Sequence, residues 1–501
     1  MSLPSATTAT PPPTQPLPST RPRAAFTAAA ATAIVAAAAL SWDRPGVGWL
    51  LTTLVVIAAV LVAIRSGRRG VRSSAEFSRV WSGRATVRAS WAVTSQMLLA
   101  AGAIRAAGWL FVLCLLTAGL VGCVILIDRT SIGGMLLAPP RVTGSAPAAL
   151  RWLARGAIPA RGQQHTFVRT LVAALIAVAL LLGFGYLLAS ADVAFAHVLS
   201  TMIPSLDGGT LLRWTCSAAV ALTATAVAAH TLLTGTTAPE KESRPRLVRR
   251  VEWTLPVGSL VALFTGFVAV QATVLFGGSD HVLATAGLTY AQYARSGFWQ
   301  LLTVTGLTVI VVSVAAQIAP RSAATDRLLL RTLLGLLSAL TLVIVASALS
   351  RMAAYEQAYG FTRQRLLVAA GELWLGAIFL FILVAGIRLR GRWVPQAALA
   401  AAVAALLALV ILNPDAFIAR HNIARFAQTG RIDVDYLSTL SADAVPALQS
   451  LPEPYRSCVL DAINDELAGG RPDTWFQWNL GRSKARTQLH QRPSAPLSCP
   501  P

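Results

Sequence analysis

The sequence predicts an all-α fold: a polytopic helical membrane protein of about eleven transmembrane helices with a small carboxyl-terminal helical domain. Three observations carry this. Of 501 residues, 55% are hydrophobic and only 13% are charged, about half the charged share of a soluble domain. Apolar runs recur along most of the length, and at 1.5 Å rise per residue a run of about 20 crosses the roughly 30 Å of bilayer hydrocarbon. The 42 Lys and Arg outnumber the 21 Asp and Glu, and the excess falls in short loops beside those runs, as the positive-inside bias of membrane proteins requires. In a soluble chain the net charge of +21 would suggest nucleic acid. Its placement argues against nucleic acid and for a lipid bilayer.

Residues 1–22 are rich in Ser, Thr, Pro and Ala and include Pro11-Pro12-Pro13, too polar and Pro-rich to pack, and read as a disordered head. The apolar runs follow at 24–40, 47–64, 89–104, 107–127, 167–190, 211–234, 255–276, 298–319, 328–349, 367–387 and 394–412. The run 89–104 is the weakest, with Gln96 inside it and Arg88 and Arg105 at its flanks. If it lies in the interface as an amphipathic helix, ten spans result. With the head cytoplasmic, eleven spans place the basic segments 65–88, 128–166 and 235–254 and the Arg388, Arg390 and Arg392 turn inside. The loops 41–46, 191–210, 277–297 and 350–366 then fall outside. The carboxyl terminus is extracytoplasmic in this threading. Segments 72–88 and 146–156 are amphipathic and Arg-rich, which suits an anionic leaflet or a plain solvated turn. Gln96, Gln271 and Gln317 lie within or at the ends of spans and are expected to hydrogen-bond between helices.

The chain changes character at Asn413, beyond which nine basic residues balance nine acidic ones. Asn413-Pro414-Asp415 supplies a cap and a Pro for a helix start, Ala416–Phe426 continues with helical spacing, and Gly430 closes it. Ile432–Leu440 and Asp443–Leu451 predict two more short helices. The expected organisation is therefore a disordered cytoplasmic head over 1–22, a transmembrane domain over 23–412, a small extracytoplasmic helical domain over 413–480, and a disordered tail over 481–501. Some seventy residues make a marginal core, so the small domain is expected to pack on the membrane helices. Cys114, Cys123 and Cys216 fall inside spans. Cys458 and Cys499 both lie in the carboxyl region, where an oxidising compartment permits a disulfide between them, or two unrelated thiols remain.

No common site pattern assigns a catalytic residue, a cofactor or a metal. The sequence has no Walker A loop, no His-Glu-x-x-His and no Gly-x-Ser-x-Gly, and its six His are scattered without ligand spacing. One polar constellation stands out at the expected outer face. Asp280 and His281 are adjacent in the 277–297 loop, near Tyr290, Tyr293 and Arg295. Arg351, Tyr355, Tyr359 and Arg363 recur every four residues, one face if that segment is helical. Glu356 lies beside them, and Glu372 lies about two turns into the following span. A carboxylate at that depth costs on the order of 2–3 kcal/mol, so it should face a partner or a cavity. Arg365, on nearly the same helix face, is the expected partner. Such a cluster would bind a substrate, an ion or a lipid head group. The plainer reading is an interfacial Tyr/Trp/Arg belt with one snorkelling carboxylate.

Several long strings resemble a known family. They are Phe276-Gly277-Gly278-Ser279-Asp280-His281 with Gly297-Phe298-Trp299-Gln300-Leu301, Tyr355-Glu356 with Glu372-Leu373-Trp374, and Asn413-Pro414-Asp415-Ala416 with Leu440-Ser441-Ala442-Asp443-Ala444-Val445-Pro446-Ala447-Leu448. Together they resemble a bacterial family of multi-pass membrane proteins known only as a domain of unknown function, from about residue 40 to the end of the tail. The resemblance implies an integral membrane protein and implies no activity, so no functional residue carries over from it. The expected role is a non-enzymatic sensor, scaffold or accessory of the bacterial envelope, with an envelope or signalling protein docking on the carboxyl-terminal domain. A transporter or channel is the alternative. A third reading is an enzyme acting on a lipid or envelope precursor through Asp280, Glu356 or Glu372.

Overall fold

The computed structural model describes residues 22–68, 75–127, 134–135, 137–157, 208–234, 249–276, 298–469 and 473–491. Every regular element among them is helical. In chain order the first are α1 (Arg23–Ala39), α2 (Val47–Arg68), α3 (Ala75–Ile104), α4 (Gly108–Ile127), α5 (Ala138–Gly144), α6 (Ala146–Ala157) and α7 (Gly208–Thr234). There follow α8 (Arg250–Phe276), α9 (Phe298–Ile318), α10 (Ala324–Tyr359), α11 (Arg363–Arg388) and α12 (Val394–Leu412). The carboxyl-terminal region holds α13 (Pro414–Thr429), α14 (Val434–Ser438), α15 (Val445–Leu448), α16 (Tyr455–Ala468) and α17 (Leu480–His490), with 3-10 turns at Ala442–Ala444 and Trp475–Gln477.

Eight of the described helices are long and apolar enough to span a bilayer: α2, α4 and α7 to α12. Only 22–39% of each apolar window is buried by protein, and side chains such as Ile411 (80% exposed) and Leu255 (70%) point outward. A soluble protein does not expose apolar surface on that scale, so lipid must solvate these helices. Of the three other expected spans, 24–40 appears as the shorter apolar helix α1, 167–190 lies outside the described residues, and 89–104 is the last part of α3. The expected division between an amphipathic 72–88 and a separate 89–104 does not occur. α3 is one continuous helix of 30 residues, about 45 Å long at 1.5 Å per residue.

The chain divides into two compact units. The first comprises Met1–Ala38, Val55–Gly83 and Ser145–Gly235. Within it α6 is amphipathic as expected, burying Ala149 and Leu153 while Arg151 and Arg155 stay exposed. Thr32 and Thr225 bring their hydroxyls to 3.0 Å, and Trp152 meets the His230 ring edge-on at 5.6 Å.

The second unit comprises Ala39–Leu54, Arg84–Gly144 and Thr236–Pro501. Its helices α9 to α12 run up and down with tight reversals. α10 and α11 pack against each other where Gly376 faces Val345, whose Cγ1 would sit 3.3 Å from a Cβ at that glycine. The expected interhelical glutamines behave differently from one another. Gln96 accepts from Thr53 at 3.0 Å and Gln271 from Ser347 at 2.9 Å, whereas Gln317 donates within its own helix to Ser313. α10 extends ten residues past the expected span end at 349, so the expected outer loop 350–366 is helix up to Tyr359, followed by the turn 360–362.

Asn413, expected as a side-chain cap, works through its backbone instead. It sits at φ 58°, closes α12 and begins α13 with no loop between, and makes no capping side-chain bond. Asn tolerates this left-handed conformation better than most residues. Gly430 closes α13 at φ 65°, as the sequence predicts. The core of the carboxyl-terminal region gathers Ile418, Leu437, Leu440, Val445, Leu448, Leu460 and Ile463, and Ala106 of the α3–α4 turn, Phe361 of the α10–α11 turn and Leu366 of α11 pack into it. One expectation fails here. Residues 481–491 were expected in a disordered tail, yet 480–490 form α17, with Ala485 fully buried and Asn479 capping the start by accepting from the Arg482 N–H at 3.0 Å. Its polar composition hid an N-cap and two core-facing residues one turn apart, Ala485 and Leu489. Residues 1–21 and 492–501 lie outside the described residues.

Candidate functional site

The turns that precede and follow the membrane helices of the second unit meet the carboxyl-terminal domain at one end of the bundle, held by buried polar groups. Asp415, the second residue of α13, is fully buried. Arg363, the first residue of α11, donates to it bidentately, Nε to Oδ1 at 2.8 Å and Nη2 to Oδ2 at 2.6 Å. The Ser441 N–H donates to the same Oδ2 at 2.9 Å, and the Arg363 N–H donates to the Tyr436 hydroxyl at 2.7 Å. Burial alone would raise the Asp415 carboxyl, but the Arg363 hydrogen bond and charge and the Ser441 bonds outweigh it and hold it below the usual range. Next to this pair, Asn422 exchanges two hydrogen bonds with the Phe361 backbone, at 2.7 and 2.9 Å. Gly360 precedes it at φ 81°, where a Cβ would fall 2.5 Å from Asn422 Oδ1, so only glycine fits.

Two more anchors fasten the α1–α2 and α3–α4 turns. Asp443 accepts from the Ala106 and Ala107 N–H groups at 2.6 and 3.1 Å, at the start of α4. Burial pushes its carboxyl up to about 6 against those two bonds and the nearby Arg105 charge. Gly481 is packed against it so closely that a Cβ would lie 2.0 Å from Asp443 Oδ1. Asn479 donates to the Gly102 and Arg105 carbonyls at 2.8 and 2.7 Å, and Arg105 turns back to the carbonyls of Val410 and Ile411 at the end of α12. Asp473 gathers Arg482, Arg486 and Arg44 at 3.0, 2.9 and 3.4 Å. Gln477 donates to Ser41, and the Val47 N–H to the Trp478 carbonyl.

The residues expected to form a polar cluster divide into three groups. Asp280, His281, Tyr290, Tyr293 and Arg295 lie outside the described residues. Tyr355, Glu356, Tyr359 and Arg365 do come together at the α10–α11 reversal. The two tyrosine rings lie 4.9 Å apart, and the Arg365 guanidinium stacks 4.2 Å over Tyr355. Arg363, expected on the same face, instead begins the next helix and binds Asp415. Glu372 stands apart. It is fully buried, and among the described residues neither carboxylate oxygen has a hydrogen-bond partner. Arg365 does not pair with it as expected, because its guanidinium is held by the Gly360 carbonyl and the Tyr355 ring at the helix start. The register set by Gly376 opposite Val345 puts Glu372 level with Leu349, inside the bundle. Glu356 Oε1 is likewise buried and has no hydrogen-bond partner among the described residues. Among the described residues no three His, Cys, Asp or Glu side chains gather as a metal site. Cys458 is buried and disulfide-bonded, and its expected partner Cys499 lies outside the described residues.

Sequence reasoning missed Asp415, Asp443, Asp473 and Asn479 as anchors. A signal existed for two of them. In a chain with so few carboxylates, an Asp between apolar neighbours, as in Pro414-Asp415-Ala416 and Ala442-Asp443-Ala444, marks burial with a partner.

No curated protein and no solved structure matches the chain. A sequence profile for a domain of unknown function, DUF4153, matches residues 93–451. That match runs from within α3 to just past α15, and it takes in Arg363, Glu372, Asp415 and Asp443. Covering well over half of a chain whose long apolar helices suit a bilayer, it shows that this multi-pass membrane protein belongs to the DUF4153 family.

Proposed function

We propose that the protein is a non-enzymatic sensor or scaffold of a bacterial plasma membrane. In this reading its amino end is cytoplasmic and its carboxyl-terminal domain is the extracytoplasmic docking element for an envelope or signalling protein. The supporting observation is the buried Arg363–Asp415 pair. Arg363 and Ser441 occupy both oxygens of Asp415, so the pair fastens and leaves no acid or base for chemistry. A partner that displaces α13 must move α11 with it. Trp475 (69% exposed) and Trp478 (45%) on the same domain are the residue type that dominates protein contacts.

Complementation of a deletion strain tests this. A chain ending at Leu412, or carrying Asp415→Ala, should fail to restore the strain's phenotype while still reaching the membrane, whereas Glu372→Gln should restore it. Failure of Glu372→Gln at normal membrane abundance would overturn the sensor reading in favour of a transporter or channel. That second reading is favoured by one observation, the unpartnered Glu372 carboxylate within the bundle, since carboxylates at that depth commonly serve a proton or cation.

A further inference from the structure

The opposite end of the second unit carries a different feature. There the α9–α10 and α11–α12 turns meet, and between the helices runs a half-open cavity of about 710 Å³. Its walls are apolar: Leu120 of α4, Val312 of α9, Leu334 of α10, Ile378 and Ile382 of α11, and Leu399 of α12. Trp374 closes the inner end, donating its indole N–H to the Ala398 carbonyl at 2.9 Å. From Trp374 to the end of α11 the cavity follows about 20 Å of helix at 1.5 Å per residue. That is enough for the roughly 15 Å of acyl chain in one leaflet, half the hydrocarbon thickness. The volume would hold about two dozen waters at some 30 Å³ each, but these walls offer them few hydrogen-bond partners.

The mouth is cationic. Arg321 and Arg331 line it, and among the described residues no carboxylate does. Arg321 donates to the Ala316 carbonyl at 2.6 Å, while the exposed Arg331 guanidinium makes no hydrogen bond among the described residues. The nearest acidic side chain in sequence, Asp326, is already paired with Arg250 at 2.6 Å. Arg388, Arg390 and Arg392 add charge in the turn whose Leu389 and Gly391 line the same cavity. An apolar slot one leaflet deep with unneutralised guanidinium groups at its rim matches one chemistry, an acyl chain attached to a phosphate. We infer that this cavity is a binding site for one anionic phospholipid, its acyl chain between α9, α10, α11 and α12 and its phosphate on Arg321 and Arg331.

Native mass spectrometry of the purified full-length protein, given equal phosphatidylglycerol and phosphatidylcholine in detergent, reads the site directly. The wild type should retain one phosphatidylglycerol with at least a tenfold preference over phosphatidylcholine. The double variant Arg321→Ala, Arg331→Ala should lose that preference. A second variant acts on the chain alone: Gly386→Leu lines the cavity and its Cβ meets no atom within 4 Å, so it fits the fold and fills the slot. It should reduce retention of both lipids at least tenfold. Glycerol phosphate, the head group without a chain, should not displace the bound lipid at equal concentration. Equal retention of the two lipids by the wild type, an unchanged preference in the arginine variant, or undiminished retention in Gly386→Leu would each overturn the assignment.

Discussion

Asp443 and Asp415 are both buried aspartates at the same interface, yet their surroundings drive them in opposite directions. Asp443 has backbone N–H groups but, among the described residues, no contacting cation, and burial raises it from 3.8 to about 6. In the unfolded chain it ionises first, so ionisation costs the folded state. Its contribution is present below pH 3.8 and lost as pH rises through 6, roughly 3 kcal/mol at 1.36 kcal/mol per pH unit. Asp415, bound by Arg363, is held low. Its contribution is present above the ordinary carboxylate range and lost as pH falls through its depressed value. Thermal unfolding of the detergent-purified protein should therefore show the melting temperature falling between pH 4 and pH 6.5 by a term that Asp443→Asn removes. The acid-side loss below pH 4 should survive in that variant. An Asp443→Asn profile that still slopes between pH 4 and 6.5 would contradict this assignment.

The spans were legible at the scale of elements because bilayer solvation needs only length and hydropathy, both local to a run. α8, α9, α11 and α12 begin and end within a few residues of their expected limits for that reason. What lay beyond reach depends on contacts distant in sequence. The last turns of α10 are polar and still helical because Tyr355 stacks under Arg365 of the next helix. α17 is polar by composition and is fixed by Asn479 on α3 and by Asp473 beneath Arg482 and Arg486. Arg365 shares a helix face with Glu372 yet is engaged by Gly360 and Tyr355 instead, since helix periodicity gives a face but not the reach of a side chain. The dependence of α17 on Asp473 can be tested. Arg482 is 7% exposed, and leaving a buried arginine without its carboxylate costs about 3–5 kcal/mol. Asp473→Ala should free α17 from the domain, and trypsin should then cut after Lys484 and Arg486 at least tenfold faster than in the wild type. An unchanged cleavage rate would mean that the apolar contacts of Ala485 and Leu489 hold the helix without the ion cluster.

Across the second unit the two ends of the bundle differ in chemistry. One end buries its charges in pairs: Arg363 with Asp415, and Arg44, Arg482 and Arg486 with Asp473. The other leaves arginines exposed at 321, 327, 331, 388, 390 and 392, with Asp326 engaged by Arg250. A bilayer reads that asymmetry, because unpaired arginine beside a short turn is retained on the cytoplasmic side. In the proposed orientation the paired end, with the carboxyl-terminal domain, is the one translocated. Single-cysteine labelling on a cysteine-free background separates the two ends, since Ser450 and Ser322 are both exposed and lie at opposite ones. A membrane-impermeant maleimide should label Ser450→Cys in intact cells and Ser322→Cys only after permeabilisation. The reversed pattern would invert the protein in its membrane and put the docking domain in the cytoplasm. Labelling of both positions in intact cells would mean that α9 and α10 do not cross the bilayer at all, which their 2.1 and 2.3 mean hydropathies and outward-facing Leu307, Ile310, Leu336 and Val343 make physically costly.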